Sequence, residues 1–174
     1  MDNYQFGTDG KMLGMRSENG EIVAGEIVAE NGGLYYYECG KTAMAGLVEL
    51  DGYYYFADVG GVIVTGRKYV WKTNGIIPEQ SCYFDAEGKM AGLKIVDGEK
   101  VVGEIIEIDG VRYYYENGAG VRKGIVYIDG YYYFANTDGK LVVNQKFYVW
   151  KEAGNGLLAD ELHYTFDELG RVIG

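Results

Sequence analysis

The fold of this chain is indicated by a stretch that runs Gly46-Leu47-Val48-Glu49-Leu50-Asp51-Gly52-Tyr53-Tyr54-Tyr55-Phe56. Its Asp-Gly pair separates two short runs rich in residues that favour β-strands. Asp-Gly and Asn-Gly tolerate the positive φ angles that both central residues of a type I′ turn require. The stretch therefore predicts a β-hairpin with a two-residue turn.

Turn pairs of this kind punctuate the whole chain. Asn-Gly or Asp-Gly occurs eleven times in the 174 residues, and the runs between these pairs have the length of short strands. The composition agrees, because 28 glycines and 18 tyrosines accompany a single proline, a pattern that excludes a coiled coil, a helical bundle and a collagen-like chain. We therefore predict an all-β chain built from β-hairpins.

The chain also repeats itself. A shift of 78 residues aligns residues 25–61 with residues 103–139, and 19 of these 37 positions are identical. Further on, Tyr69-Val70-Trp71-Lys72 matches Tyr148-Val149-Trp150-Lys151, and the residues from Phe166 onward begin the cycle a third time. We predict one repeat domain over residues 1–174. Copy one covers 1–78, copy two covers 79–159, and a partial third copy covers 160–174.

Tandem hairpins can bury their apolar faces by stacking on their neighbours, because an isolated hairpin is only marginally stable in water. The result is a quasi-one-dimensional solenoid of stacked β-hairpins. The alternative is a sandwich or closed barrel of about eight to twelve strands. We predict the solenoid, since a closed barrel gains nothing from an open-ended repeat.

The charge of the chain bears on its partners. The formal net charge is −10, which repels phosphate backbones, so nucleic acid is not expected as a partner. No apolar run is long enough to span a bilayer, so we expect no membrane insertion. Neutral sugars remain compatible with this charge.

The sequence offers little for catalysis or metal binding. His163 is the only histidine, and Cys39 and Cys82 are the only cysteines, so the ligand spacing of a zinc site is missing. A Ser-His-Asp triad would need Ser17 or Ser81 beside His163, and no feature of the sequence indicates that. The 26 acidic residues leave a glycosidase-type pair open by count, but stacked hairpins predict shallow grooves. We expect no enzyme, no catalytic or metal site and no cofactor, and we expect both thiols to be free.

Three segments resemble a known kind of repeat. They are residues 46–66, Cys82-Tyr83-Phe84-Asp85-Ala86-Glu87-Gly88-Lys89-Met90 and Gly124-Ile125-Val126-Tyr127-Ile128-Asp129-Gly130. They are similar to the cell-wall-binding repeats of Gram-positive bacteria, a superfamily with choline-binding, glucan-binding and clostridial toxin C-terminal repeats. The resemblance implies a β-solenoid that attaches to a surface glycan, and hence a secreted or cell-surface protein. No signal peptide lies within the chain, which starts and ends inside a repeat, so we expect a fragment of a larger secreted bacterial protein.

The chain departs from the choline-binding pattern at one position of every repeat. Where those repeats place Trp after the closing Gly, this chain has Leu47, Arg67, Leu93 and Ile125. A quaternary ammonium gains cation–π energy from rings on several sides, and each missing Trp removes one of them. Choline is therefore not expected as a ligand.

The aromatic side chains are the candidate binding residues. Tyr53 and Tyr55 face one side of a strand, while Tyr54 and Phe56 face the other, and one face must be core. Tyr suits sugars because it has a stacking ring and a hydrogen-bonding tip. We predict weak, repeated carbohydrate sites at Tyr35, Tyr53, Tyr54 and Trp71 in copy one, and at Tyr113, Tyr131, Tyr132 and Trp150 in copy two.

Two further hypotheses stay open. The chain could be a structural spacer or adhesin stalk in which the aromatic rings only hold the hairpins together, or an enzyme with chemistry of its own. A binding module needs accessible aromatic rings in shallow sites, whereas a spacer buries them.

Overall fold

The computed structural model describes residues 3–159 and 162–174, and within these ranges the chain is all-β. Its regular helical turns there are three short 3₁₀ segments, at Val59–Gly61, Thr137–Gly139 and Glu152–Gly154. The strands are β1 (Met15–Glu18), β2 (Glu21–Ala24), β3 (Glu26–Glu30), β4 (Gly33–Glu38), β5 (Lys41–Thr42), β6 (Gly46–Leu50), β7 (Tyr53–Ala57), β8 (Gly66–Val70), β9 (Gln80–Phe84), β10 (Leu93–Val96), β11 (Glu99–Val102), β12 (Glu104–Ile108), β13 (Val111–Glu116), β14 (Ala119–Gly120), β15 (Gly124–Ile128), β16 (Tyr131–Ala135), β17 (Gln145–Val149) and β18 (Leu162–Phe166). The prediction of an all-β chain is confirmed.

The chain divides into two compact units. The first contains the residues up to Met90 together with Lys94–Lys100, and the second contains Ala91–Leu93 and Val101–Gly174. This division follows the packing of the chain. The copy boundaries at 78 and 159 describe the sequence period and remain a prediction.

The strands pair as antiparallel hairpins with their neighbours in sequence. Leu50 pairs with Tyr53 across the Asp51-Gly52 turn, and both turn residues have positive φ, at 52° and 89°. Positive φ at both residues holds for ten of the eleven Asn-Gly and Asp-Gly pairs, the exception being Asp9-Gly10. Local backbone chemistry therefore accounts for the hairpin turns, as the sequence predicts.

Successive hairpins stack within each unit. In the first unit Tyr36 of β4 packs with Ala57 of β7 and with Ile63 in one buried cluster. In the second unit Phe134 of β16 packs with Phe166 of β18. No closed barrel forms in the part of the chain that the structure describes. Within each unit, the prediction of stacked hairpins is confirmed.

The repeat places the same kind of side chain in each core. Completely or almost completely buried residues of the first unit have buried counterparts in the second. The pairs are Phe56 and Phe134, Phe84 and Phe166, Val70 and Val149, and Leu47 and Ile125. Residues at equivalent positions of the sequence repeat are therefore buried in the core of both units.

Close backbone contacts fix how neighbouring segments meet. Gly14 and its counterpart Gly92 both have positive φ, and a Cβ at either position would collide with a backbone carbonyl, of Tyr37 and Tyr115 respectively. The amide N–H of each glycine donates to a carboxylate at 2.8 Å, from Glu26 in the first unit and from Glu104 in the second. Glycine is required there because no side chain fits.

Asparagine side chains connect the loop after β8 and the loop after β17 to the preceding hairpin. The Asn74 amide donates to the carbonyls of Ala45 and Leu47, at 2.7 and 2.8 Å. Its counterpart Asn155 donates to the carbonyls of Lys123 and Ile125, at 2.6 and 2.9 Å. Each contact satisfies two carbonyl groups at once.

Cys39 and Cys82 are thiols and form no disulfide with each other, as predicted. Cys39 is exposed in a turn, whereas Cys82 is a residue of β9 whose side chain is buried in the hydrophobic core. Burial raises the pKa of the Cys82 thiol to about 11. Across the described ranges, no helix is long and apolar enough to cross a membrane.

Candidate ligand-binding surface

An open aromatic pair of the first unit lies at the end of β8. Side chains alternate between the two faces of a strand, and Val70 points into the core. Tyr69 and Trp71 therefore share the outer face, with exposed fractions of 53% and 45%. We call this pair the first Tyr-Trp strip. An edge contact with Phe56, at 6.4 Å between ring centroids, supports the Trp71 indole from below.

The second unit carries the equivalent pair, Tyr148 and Trp150, which we call the second Tyr-Trp strip. Tyr148 is 43% exposed, and its ring lies 5.2 Å from the imidazole of His163, its partner across the ladder. Trp150 is half-buried, with its ring centroid 5.7 Å from that of Phe134. The guanidinium of Arg122 lies over the indole at 5.7 Å. The second strip is thus more covered than the first.

Tyr53 and Tyr131 occupy equivalent positions just after the hairpin turns. They are 36% and 46% exposed. A cation of the chain itself lies over each ring, the Lys89 ammonium at 4.2 Å from the Tyr53 centroid and the Arg171 guanidinium at 4.9 Å from the Tyr131 centroid. Both distances are within the range of a cation–π contact. The ring of each of these two tyrosines is therefore already in contact with a cation of the chain.

Carboxylates hold these cations in place. Lys89 pairs with Glu87 at 3.0 Å, and this hydrogen bond raises the pKa of the Lys89 ammonium. Arg171 pairs with Asp167 at 2.7 Å. Each of these sites therefore combines an aromatic ring, a positive charge and a negative charge, an arrangement that can bond polar ligands and that already places one cation against the ring.

The remaining predicted residues lie deeper. Tyr35 is half-buried beside an open groove of about 570 Å³, which Glu30 and Val62 also line. Tyr113 is half-buried as well, and its ring meets that of Tyr115 at 6.2 Å. Both are thus less accessible than Tyr53 and Tyr131.

Tyr54 and Tyr132 differ although the repeat makes them equivalent. Tyr54 is only 3% exposed, so its ring belongs to the core and is withheld from a ligand. Tyr132 is half-buried, with its ring 4.8 Å from that of Tyr127. Strand alternation places Tyr54 on the same face as Phe56 and Tyr132 on the same face as Phe134, so it is equal in the two strands. The difference in exposure therefore comes from the segments that pack on the two rings.

Sequence reasoning missed Tyr69 and Tyr148. The signal was present, because each precedes a candidate tryptophan by two residues and so lies on the same face of the strand. Nothing in the period of the sequence distinguishes these exposed rings from the buried ones.

Other chemistry is sparse in the part of the chain that the structure describes. There, no group of three or more His, Cys, Asp and Glu residues could hold a metal ion. A second open groove, of about 590 Å³, lies beside Lys146, Thr165 and Asp167 in the second unit. Both grooves are shallow surfaces rather than enclosed clefts.

The hairpin series, with an aromatic pair on the surface of each unit, defines the chain as a β-hairpin repeat module. A crystal structure of CbpF in complex with ipratropium matches 98% of this chain and 42% of its own, at 22% sequence identity and a TM-score of 0.51. This similarity shows that the two chains share a fold. The expected resemblance to cell-wall-binding repeats is confirmed at the level of the fold.

Two other structures match with lower TM-scores. Choline binding protein F from Streptococcus pneumoniae matches 98% of this chain and 61% of its own, at 20% identity and a TM-score of 0.32. The autolysin LytC from Streptococcus pneumoniae, in complex with a synthetic peptidoglycan ligand, matches 89% of this chain and 35% of its own, at 16% identity and a TM-score of 0.35. The chain thus spans less than two thirds of the length of these proteins. No family model and no curated protein matches it.

Proposed function

We propose that this chain is a non-catalytic, cell-wall or cell-surface carbohydrate-binding repeat module of a larger secreted bacterial protein. The observation that carries the proposal is the recurrence of exposed aromatic side chains at equivalent positions, clearest in the two Tyr-Trp strips. Aromatic rings stack on the C–H faces of sugars, and the tips of Tyr and Trp form hydrogen bonds to hydroxyl groups.

The proposed binding residues are the predicted ones with two additions and one removal. Tyr54 is left out because its ring is covered. Tyr69 and Tyr148 are added because they extend the tryptophans along an exposed face. The full set is Tyr35, Tyr53, Tyr69, Trp71, Tyr113, Tyr131, Tyr132, Tyr148 and Trp150.

The nature of the ligand is the finer part of the proposal. Cations of the chain already lie over Tyr53 and Tyr131, so a quaternary ammonium ligand at either ring would meet the like charge of Lys89 or Arg171. That argument favours a neutral glycan. Choline nevertheless belongs among the ligands to be tested, because the fold neighbour CbpF is named as a choline binding protein, which speaks against our expectation.

The test is a pull-down of the purified chain on Gram-positive cell walls, with choline, soluble glucans and galactosides as competitors. Release by one saccharide supports the proposal and identifies the ligand class. Release by choline alone would identify choline, rather than a glycan, as the ligand. A Phe6→Ala variant serves as a control, because Phe6 is an aromatic residue that is 56% exposed and lies outside the proposed set.

The second candidate function is a structural spacer, and the buried tyrosines favour it. Tyr36, Tyr37, Tyr114 and Tyr115 are each at most 5% exposed, so many rings serve the packing of the hairpins. Absence of binding to every wall and every glycan would support this function over the first.

A further inference from the structure

The two Tyr-Trp strips occupy equivalent positions in the repeat but differ in what covers them. Trp71 is 45% exposed, whereas Trp150 is half-buried. Among the described residues, no cationic group lies over the Trp71 ring, but the Arg122 guanidinium lies over Trp150 at 5.7 Å. The residue that corresponds to Arg122 in copy one is Met44, which has no charge and is 40% exposed.

A second substitution covers the tyrosine of the second strip. Across the ladder from Tyr148 stands His163, whose ring contacts the phenol ring at 5.2 Å. Across from Tyr69 stands Ser81, which carries no ring. The imidazole of His163 therefore packs against Tyr148 in the second strip, whereas no ring lies across the ladder from Tyr69 in the first strip.

A third substitution adds packing beneath the second tryptophan. Phe147 packs its ring on Phe134 at 4.9 Å, beside the contact between Phe134 and Trp150. The corresponding residue of copy one is Lys68, which pairs with Asp58 at 2.8 Å instead. The first two differences thus cover the rings of the second strip, and the third strengthens the packing around Phe134, on which Trp150 rests.

We propose that the first Tyr-Trp strip, Tyr69 with Trp71, is the working saccharide-binding surface, and that Arg122 and His163 close the second strip. This inference rests on the proposed function and narrows it, because of the two Tyr-Trp strips in the proposed set it assigns binding to the first alone. A sugar that stacks on Trp150 must displace the Arg122 guanidinium from the indole, whereas a sugar can stack on Trp71 without displacing a cation.

The geometry of the first strip fits a neutral oligosaccharide. Residues two apart on a strand are separated by about 7 Å, so Tyr69 and Trp71 present two stacking surfaces in a row. Adjacent sugar rings of one chain can use both surfaces, while a small ligand covers one. Arg67 lies exposed on the same face before Tyr69, where its N–H groups can donate to hydroxyl groups and its charge repels cations.

The experiment compares matched variants of the full chain in a depletion assay on Gram-positive cell walls. Tyr69→Ala is compared with Tyr148→Ala, because both side chains are exposed and neither change removes a core residue. Trp71→Ala tests the tryptophan, and Met44→Arg places in copy one the arginine that lies over the tryptophan of copy two. Phe6→Ala, at an exposed aromatic residue outside the proposed set, is the control. A soluble neutral glucan oligosaccharide and choline chloride are the competitors.

We expect Tyr69→Ala, Trp71→Ala and Met44→Arg each to weaken wall binding about tenfold, and Tyr148→Ala to weaken it less than threefold. Equal losses for Tyr69→Ala and Tyr148→Ala would overturn the inference while leaving the proposed function intact. Competition by choline but not by the oligosaccharide would overturn the ligand class. A wild-type chain that binds no wall would overturn the proposed function and this inference together.

Discussion

At the scale of the residue, the twelve non-glycine positions with positive φ form a consistent set. Eleven of these described residues are Asn or Asp, which tolerate the left-handed region, and the twelfth is Cys39. Cys39 is exposed, with φ of 45°, in a turn where Glu38 pairs with Lys41. Its counterpart in copy two is Asn117. Cys39 thus adopts, with backbone strain, a left-handed conformation that asparagine adopts more readily.

We expect Cys39→Asn to raise the free energy of unfolding by about 1 kcal/mol, because asparagine relieves the left-handed strain and no packing is lost. Urea unfolding of both proteins under reducing conditions measures the difference. The reverse change, Asn117→Cys, is the matched control and should destabilise the chain at least as much. Equal stability of the wild type and Cys39→Asn would contradict this account.

At the scale of the element, β4 and β13 each carry a buried tyrosine bonded to a carboxylate two residues on. The Tyr36 hydroxyl donates to Glu38 and the Tyr114 hydroxyl donates to Glu116, both at 2.8 Å. Burial, and then the hydrogen bond, raise the pKa of both phenols well above the usual value near 10. The folded state therefore favours the neutral phenol, and the stability that this provides is complete below pH 10 and is lost as the pH rises further.

We expect the unfolding free energy to fall by about 1.4 kcal/mol per pH unit above pH 10 for each of these two tyrosines. Tyr36→Phe should reduce that slope by the contribution of one tyrosine. Chemical denaturation between pH 9 and pH 11.5 measures it. Val70→Ala is the control, because it removes fully buried volume at a cost of about 2 kcal/mol without touching a phenol. A slope that Tyr36→Phe leaves unchanged would refute the assignment.

The sequence predicts the hairpins better than it predicts the binding surface. Turns follow from Asn-Gly and Asp-Gly because the φ preference of two residues is a local property. The exposure of a ring is not local, and the run Tyr53-Tyr54-Tyr55 gives no sign of which member a neighbouring hairpin covers. The cation over Tyr53 comes from Lys89, on a later segment, so only the folded chain reveals it.

At the scale of the whole molecule, a duplicated sequence does not imply two equal binding sites. The repeat preserves core residues such as Phe56 and Phe134, while surface positions such as Met44 and Arg122 have diverged. Packing constrains the first kind of position strongly and the second kind weakly. The number of working sites is therefore a property of the surface residues rather than of the copy number.

We expect calorimetric titration with a soluble neutral glucan oligosaccharide to give about one bound ligand per chain. Arg122→Met combined with His163→Ser gives the second strip the residues of copy one, and should raise the stoichiometry towards two. Lys100→Met removes one positive charge at an exposed position outside the proposed set, and so is the control for the lost cation. Two ligands per wild-type chain would show that Arg122 and His163 do not close the second strip.

Every extended ladder joins strands that are consecutive in the chain, and single residue pairs such as Lys94 with Tyr53 supply the other β-bridges. Most of these ladders close across a two-residue turn at a small entropy cost, whereas the ladder of β8 with β9 and the ladder of β17 with β18 close longer loops, from Val70 to Gln80 and from Val149 to Leu162. Contacts of short sequence separation also favour rapid folding. A newly synthesised chain can therefore complete one hairpin before the next has been made, and each finished hairpin offers an apolar face on which its successor can assemble.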